Sequence, residues 1–160
     1  MVRRQISLFL KNVPGELGRF AALLGDNHIN VEALSIQDAS AYVMELFRAR
    51  GKSLKRIAST NSYDSMKRDS EEFALIRLVV DKTDEAIELL AENDYMFDVF
   101  NVIALNLENR PGSLARIASK FGEENVNIKY VYGSADSSDR QVLFVFCPED
   151  IELAAKVFES

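Results

Sequence analysis

The chain has 160 residues, 48% of them hydrophobic and 28% charged, with a formal net charge of −6. That balance excludes wholesale disorder and opposes nucleic-acid binding through the protein as a whole. One cysteine, Cys147, and one histidine, His28, exclude an intramolecular disulfide, a thiolate cluster and a histidine-rich metal site, so neither metal nor cofactor is expected.

The start, "MVRRQISLFLKNVPG", turns polar too soon for a signal peptide, and no run of roughly 18 apolar residues follows, so a cytoplasmic protein without a membrane partner is expected. "ISLFLK" alternates with period two and puts Ile6, Leu8 and Leu10 on one face of a strand. "NVPGELGRF", residues 12 to 20, ends that strand. Leu17, Phe20, Ala21 and Leu24 then stand at i, i+3, i+4 and i+7, one stripe of a helix. Gly25 falls where a left-handed stop is expected, and "INVEALSI" reads as a second strand.

Residues 41 to 72 interrupt the pattern. Between Arg48 and Arg68 lie seven Lys or Arg against one acid, Asp64, in a chain that is otherwise acidic. One reading is a short basic helix, with Leu54, Ile57 and Ala58 on its apolar side, that docks on an acidic partner or an RNA; the other, favoured, is a solvated loop insertion, with too few aromatic residues for a stacking platform. Beyond it "FALIRLVV" is a third strand, residues 84 to 92 are helical with Thr83 as a candidate cap, and "YMFDVF", 95 to 100, is a fourth strand.

The series then repeats. Pro111 lies 97 positions after Pro14, and the same offset pairs Ile6 with Ile103, Asn12 with Asn109, Leu17 with Leu114, Arg19 with Arg116 and Asn30 with Asn127. "IALNLE" is again a strand, "NRPGSLARI" again the turn, and Leu114, Ile117, Ala118 and Phe121 again a helical stripe that ends near Gly122. "VNIKYVYGS" and "QVLFVF" are strands, and Pro148 fits the first turn of a last helix over 149 to 158. Two strand-helix-strand-strand-helix units make an α+β fold of the split β-α-β kind, with helices on one face of antiparallel sheets.

The turn has a chemistry of its own. Gly15 and Gly112 remove a side chain where a ligand can approach the backbone, Pro14 and Pro111 stiffen the chain, and the helix amides beyond favour an anion. Asn12 and Asn109 bring a donor and an acceptor to that mouth. An α-amino acid carries both the carboxylate and the ammonium such a mouth would take. The alternative is a tight connection in which Asn caps the helix and no ligand is held.

Asn-x-Pro-Gly-x-Leu, followed by Ile-Asn-Val or Val-Asn-Ile and present twice, resembles the ACT domain family, in particular short proteins of two tandem ACT modules. The resemblance spans nearly the whole chain except 41 to 72. It implies two ferredoxin-like βαββαβ modules: residues 1–100, with the insertion, and 101–160, whose fourth strand would begin near residue 161. It also implies a non-catalytic, allosteric regulatory protein that binds a small amino acid where two modules meet and signals its level to a partner. The ligand-binding residues it carries over are Asn12, Val13, Pro14, Gly15, Leu17 and Asn30, and Asn109, Arg110, Pro111, Gly112, Leu114 and Asn127. By similarity to the regulatory domain of phosphoglycerate dehydrogenase, the four asparagines match residues that contact the amino acid. Leu10 and Leu107 stand where that domain has a histidine, so its serine specificity does not carry over. For Asn30 and Asn127 the alternative is a turn residue of unusual dihedrals.

No nucleophile elbow, phosphate loop or paired carboxylates stand at a useful spacing, so the chain is expected not to be an enzyme. His28 is expected as a solvent-facing loop residue and Cys147 as an inert, partly buried thiol. With the last strand missing, residues 102 to 108 are expected to form an open sheet edge covered by a second copy in a homodimer, or by the upstream 95–100 strand. The other functional reading is a structural or protein-interaction module with vestigial ligand sites, contacting its partner through residues 41–72.

Overall fold

The computed structural model describes residues 1–39, 73–136 and 140–159. Its elements are β1 (Val2–Lys11), α1 (Glu16–Asp26), β2 (Val31–Asp38), β3 (Phe73–Val80), α2 (Thr83–Glu92), β4 (Phe97–Glu108), α3 (Ser113–Glu123), β5 (Ile128–Asp136), β6 (Gln141–Pro148) and α4 (Ile151–Lys156). The strands form one antiparallel six-stranded sheet in the order β2-β3-β1-β4-β6-β5. This is the α+β architecture of two tandem ferredoxin-like modules.

Strand alternation divides the sheet into two faces. Ile6, Leu8 and Leu10 of β1, with Ile76, Leu78 and Val80 of β3, pack under Phe20 and Leu24 of α1 and Ala86 and Leu90 of α2. Ile103 and Leu107 of β4, with Phe146 of β6, do the same under Ile117 and Phe121 of α3 and Ala154 of α4. Phe97 joins the first core and Ile103 the second, and their odd positions on β4 put both on one face, so every helix covers the same side. On the other side a third apolar cluster unites Ala33, Val79, Val102, Val145 and Cys147 from strands at both ends of the sheet order. The sheet therefore curls until β2 lies against β5, with its helix-free face inside.

The two strands expected at 95–100 and 102–108 are one. β4 runs unbroken over twelve residues, pairing with β1 from Phe97 to Ile103 and with β6 from Ile103 to Glu108. It serves the first module as its last strand and the second as its first, so a boundary between residues 100 and 101 falls inside it. The edge expected over 102–108 is likewise not open as a whole. Val102 and Ile103 lie opposite Arg3 and Val2, the Ala104 amide donates to the Met1 carbonyl at 2.7 Å, and β6 covers 103–108 from the other flank. Nor does the 95–100 segment fold across it, since it is the same strand. Residues 40–72, which include the basic stretch, lie outside the described residues.

Two helices stop differently from the expectation, and a third, for which no stop residue was expected, stops in the same way. Gly25 and Gly122 are ordinary helical residues; the left-handed positions are His28 (φ 57°), Asp94 (φ 61°) and Asn125 (φ 57°). Each begins a closing pattern in which the next residue's amide reaches back five positions: Ile29 to the Leu24 carbonyl, Tyr95 to Leu90 and Val126 to Phe121, at 2.8–3.0 Å. At the helix starts, Thr83 is the first residue of α2 and caps nothing, and Pro148 belongs to β6. The cap of α4 is Asp150, whose carboxylate accepts from the Leu153 amide at 2.9 Å.

Candidate functional site

The two Pro-Gly turns have the same backbone. Gly15 (φ 91°, ψ −17°) and Gly112 (φ 88°, ψ −12°) are the N-terminal flanking residues of α1 and α3, and both are left-handed. That conformation suits glycine and strains any other residue. No side chain caps either helix, so neither Asn12 nor Asn109 plays the capping role. A Cβ built on either glycine meets nothing within 4 Å, so the backbone faces open space. Asn12, Val13 and Pro14, and Asn109, Arg110 and Pro111, are exposed as well. Leu17 and Leu114, expected on the buried stripes, are 40% and 39% exposed; only Phe20 and Leu24, and Ile117 and Phe121, reach the cores.

The strand asparagines sit at equivalent places in the two modules, away from their own module's turn. The Asn30 amide donates to the Asp81 carboxylate at 2.9 Å while the Asp81 amide donates to the Asn30 carbonyl at 3.1 Å. In the second copy Asn127 Nδ2 donates to Glu149 at 3.2 Å, and the Glu149 amide donates to the Asn127 carbonyl at 2.8 Å. Both asparagines thus fasten the start of a second strand to the end of a third, and neither is left-handed. Within one module turn and strand asparagine lie at opposite ends, because β1 and β2 run the same way, as do β4 and β5. Since β4 runs against β1, the Asn12 turn and Asn127 point to one end of the sheet, and the Asn109 turn and Asn30 to the other.

The copies differ where the helices begin. In α1 the first residue is Glu16, whose carboxylate pairs with Arg19 at 2.6 Å. In α3 that place belongs to Ser113, 6% exposed, whose Oγ has no hydrogen-bond partner among the described residues, and no acid stands in the first turn. The first turn thus carries a carboxylate, paired with Arg19, where the second carries a buried hydroxyl and no acid. The sequence reading missed Ser113, although the offset of 97 that pairs it with Glu16 shows the contrast.

A polar layer joins the modules inside the curl. Gln5 is fully buried; its Nε2 donates to Tyr130 Oη at 2.7 Å and Ser7 Oγ at 3.0 Å, and its Oε1 accepts from Tyr132 Oη at 2.9 Å. The Arg77 guanidinium lies 4.0 Å over the Tyr130 ring and donates to Gln37 Oε1 at 3.1 Å. Burial, with a contribution from Cys147 beside it, pushes the Tyr130 hydroxyl up to about 12, and burial followed by the neighbouring Tyr130 raises Tyr132 as well. These residues also escaped the sequence reading, since a glutamine on an alternating strand gives no sign that tyrosines 125 and 127 positions away will meet it.

Comparisons with known proteins fit this geometry. The family described as "ACT domain pair" matches residues 43–158, so its match begins inside the stretch set aside as an insertion and omits β1 to β2. No curated protein matches the chain. Protein BT0572 from Bacteroides thetaiotaomicron superposes with a TM-score of 0.71 at 24% identity, covering 99% of this chain and 88% of that one. The regulatory subunit of aspartate kinase from Thermus thermophilus gives 0.55 at 13% identity, over 98% and 92%. Its counterpart from Thermus flavus gives 0.53 at 16%, over the same shares. With its doubled turn, its two helix-covered half-sheets and a family match over well over half its length, the chain belongs to the ACT domain family as an ACT domain pair.

Proposed function

We propose that the protein is a non-catalytic regulatory module that binds a small amino acid between ACT modules and signals occupancy to a partner. The observation that carries this reading is the doubled, uncapped turn with open space over its glycine. The helix amides there would take the carboxylate. The asparagine of the other module's second strand points to the same end but lies about seven residues short of the turn along β4, so a second copy would have to supply it to take the ammonium. Leu17 and Leu114, apolar and exposed beside the mouths, would meet the side chain. The two turns are unequal in this reading: Glu16 opposes a carboxylate at the first, while no acid stands in the first turn of the helix at the second, so the Gly112 turn with Asn30 is the stronger site. A ligand that bridges turn and strand stabilises one packing of the modules over another, and only that difference transmits a signal. Self-association through the sheet's edge strands, where Leu34, Ile36 and Val131 are exposed, belongs to the same proposal.

The test is calorimetric titration with the proteinogenic amino acids, on the wild type and on Ser113→Glu, which copies the first turn into the second. Binding by one chemical class, lost in Ser113→Glu with the circular dichroism unchanged, supports the reading. Affinity that survives Ser113→Glu moves the ligand away from that turn, and a wild type that binds none of them leaves the vestigial module standing instead.

A further inference from the structure

The two modules are staggered along their shared strand. β6 pairs with β4 only from Ile103 onward and β5 starts at Ile128 opposite Pro148, so the flank of β4 at 97–102 has no strand partner among the described residues. Above this step no described residue covers the inner face of β1 and β3, and a notch of about 740 Å³ opens there. Its floor is Ser7, Phe9, Leu75 and Arg77, and its walls come from β4 and from Lys129, Tyr130 and Cys147. None of the turn residues and neither strand asparagine lines it.

The lining is apolar with a few charges. Phe9 and Phe100 are 56% and 48% exposed, too large a share for core phenylalanines. Arg77 is part-buried and oriented by Gln37 and the Tyr130 ring, yet has no acidic partner among the described residues. Lys129 adds a second cation and Asp98 one acid, neither of them in an ion pair among the described residues, so the side chains that line the notch carry one net positive charge. A planar guanidinium held in place and lacking a counter-ion is suited to a carboxylate. Rings around it suit a flat body of ligand size.

We propose that this notch is a second ligand site, separate from the turns, for a small monocarboxylate with an aromatic body. Arg77 takes the carboxylate, Phe9 and Phe100 take the body, and Asp98 turns away dicarboxylates. The proposal does not depend on amino-acid binding at the turns.

The experiment uses 3-phenylpropanoate and L-phenylalanine as probes, phenethylamine and succinate as controls, and two readouts, calorimetry and the alkylation rate of Cys147. That cysteine lines the notch and is the chain's single thiol, so its protection reports this site alone. The expected result is that at least one aryl carboxylate binds and slows alkylation, while both controls do neither. Arg77→Gln should weaken that binding roughly tenfold or more, Arg77→Lys by less, and Ser113→Glu not at all. Absence of binding by both probes, equal binding by phenethylamine, or affinity indifferent to Arg77→Gln would overturn the proposal. Binding lost in Ser113→Glu without protection of Cys147 would also overturn it and leave the turn site intact.

Discussion

Gln5 is fully buried between the modules, and its amide meets three hydroxyls. Replacing it with leucine keeps the volume but strips both tyrosine hydroxyls of a buried partner, which should cost about 2–4 kcal/mol. Chemical denaturation measures the loss, and a change within experimental error would show that the layer is solvated. The tyrosines also set a pH limit. Each is neutral in the folded chain and has a raised value there, so the unfolded chain gives up its protons first. The stability they confer is complete below pH 10 and falls as pH rises from 10 toward about 12 and beyond. Denaturation at stepped pH should show that decline, and Tyr132→Phe should flatten it. At this scale the glycines of the turns were legible, because only glycine sits well in a left-handed turn before a helix. Gln5, Arg77 and the tyrosines were not, because their meeting depends on how far the sheet curls.

Helices and strands were legible as kinds and less so at their ends. Period two and the i, i+3, i+4 stripes mark the elements directly, whereas each stop depends on which residue adopts positive φ. Gly25 and Gly122 drew the expectation, but His28 and Asn125 three positions later take the left-handed place, since the amide bond reaching back five positions fixes where the apolar Ile29 and Val126 re-enter the core. This makes His28→Gly a mild change, neutral or stabilising by up to about 1 kcal/mol. By contrast Gly15→Val, at φ 91°, should cost more than that, so it is a poor probe of ligand binding. Asp150→Ala removes the one side-chain cap found at α4 and should cost about 1 kcal/mol. Thermal melts of the three variants should rank in that sense, and a His28→Gly variant less stable than Gly15→Val would contradict the account of the helix ends.

At the scale of the molecule, the duplication predicted two modules, and the structure joins them through one strand. The sequence leaves only Asn101 between "YMFDVF" and "VIALNLE", too little for even a two-residue hairpin loop, which is the local sign of a continuous strand; counting one strand per module hid it. With β4 in both half-sheets and Gln5 of the first module bonded to tyrosines of the second, neither half has a complete sheet alone. Calorimetric unfolding should therefore be a single transition with equal calorimetric and van't Hoff enthalpies. Two separated transitions would mean that the modules fold independently. The central claim, that the Gly112 turn and the Asn30 of a second copy hold a small amino acid between them, is tested most directly by hydrogen exchange with and without the best-binding amino acid of the titration series. The account predicts slowed exchange at the amides of Leu114 and Ala115 and around Asn30 together. Binding that leaves both segments unchanged would contradict it.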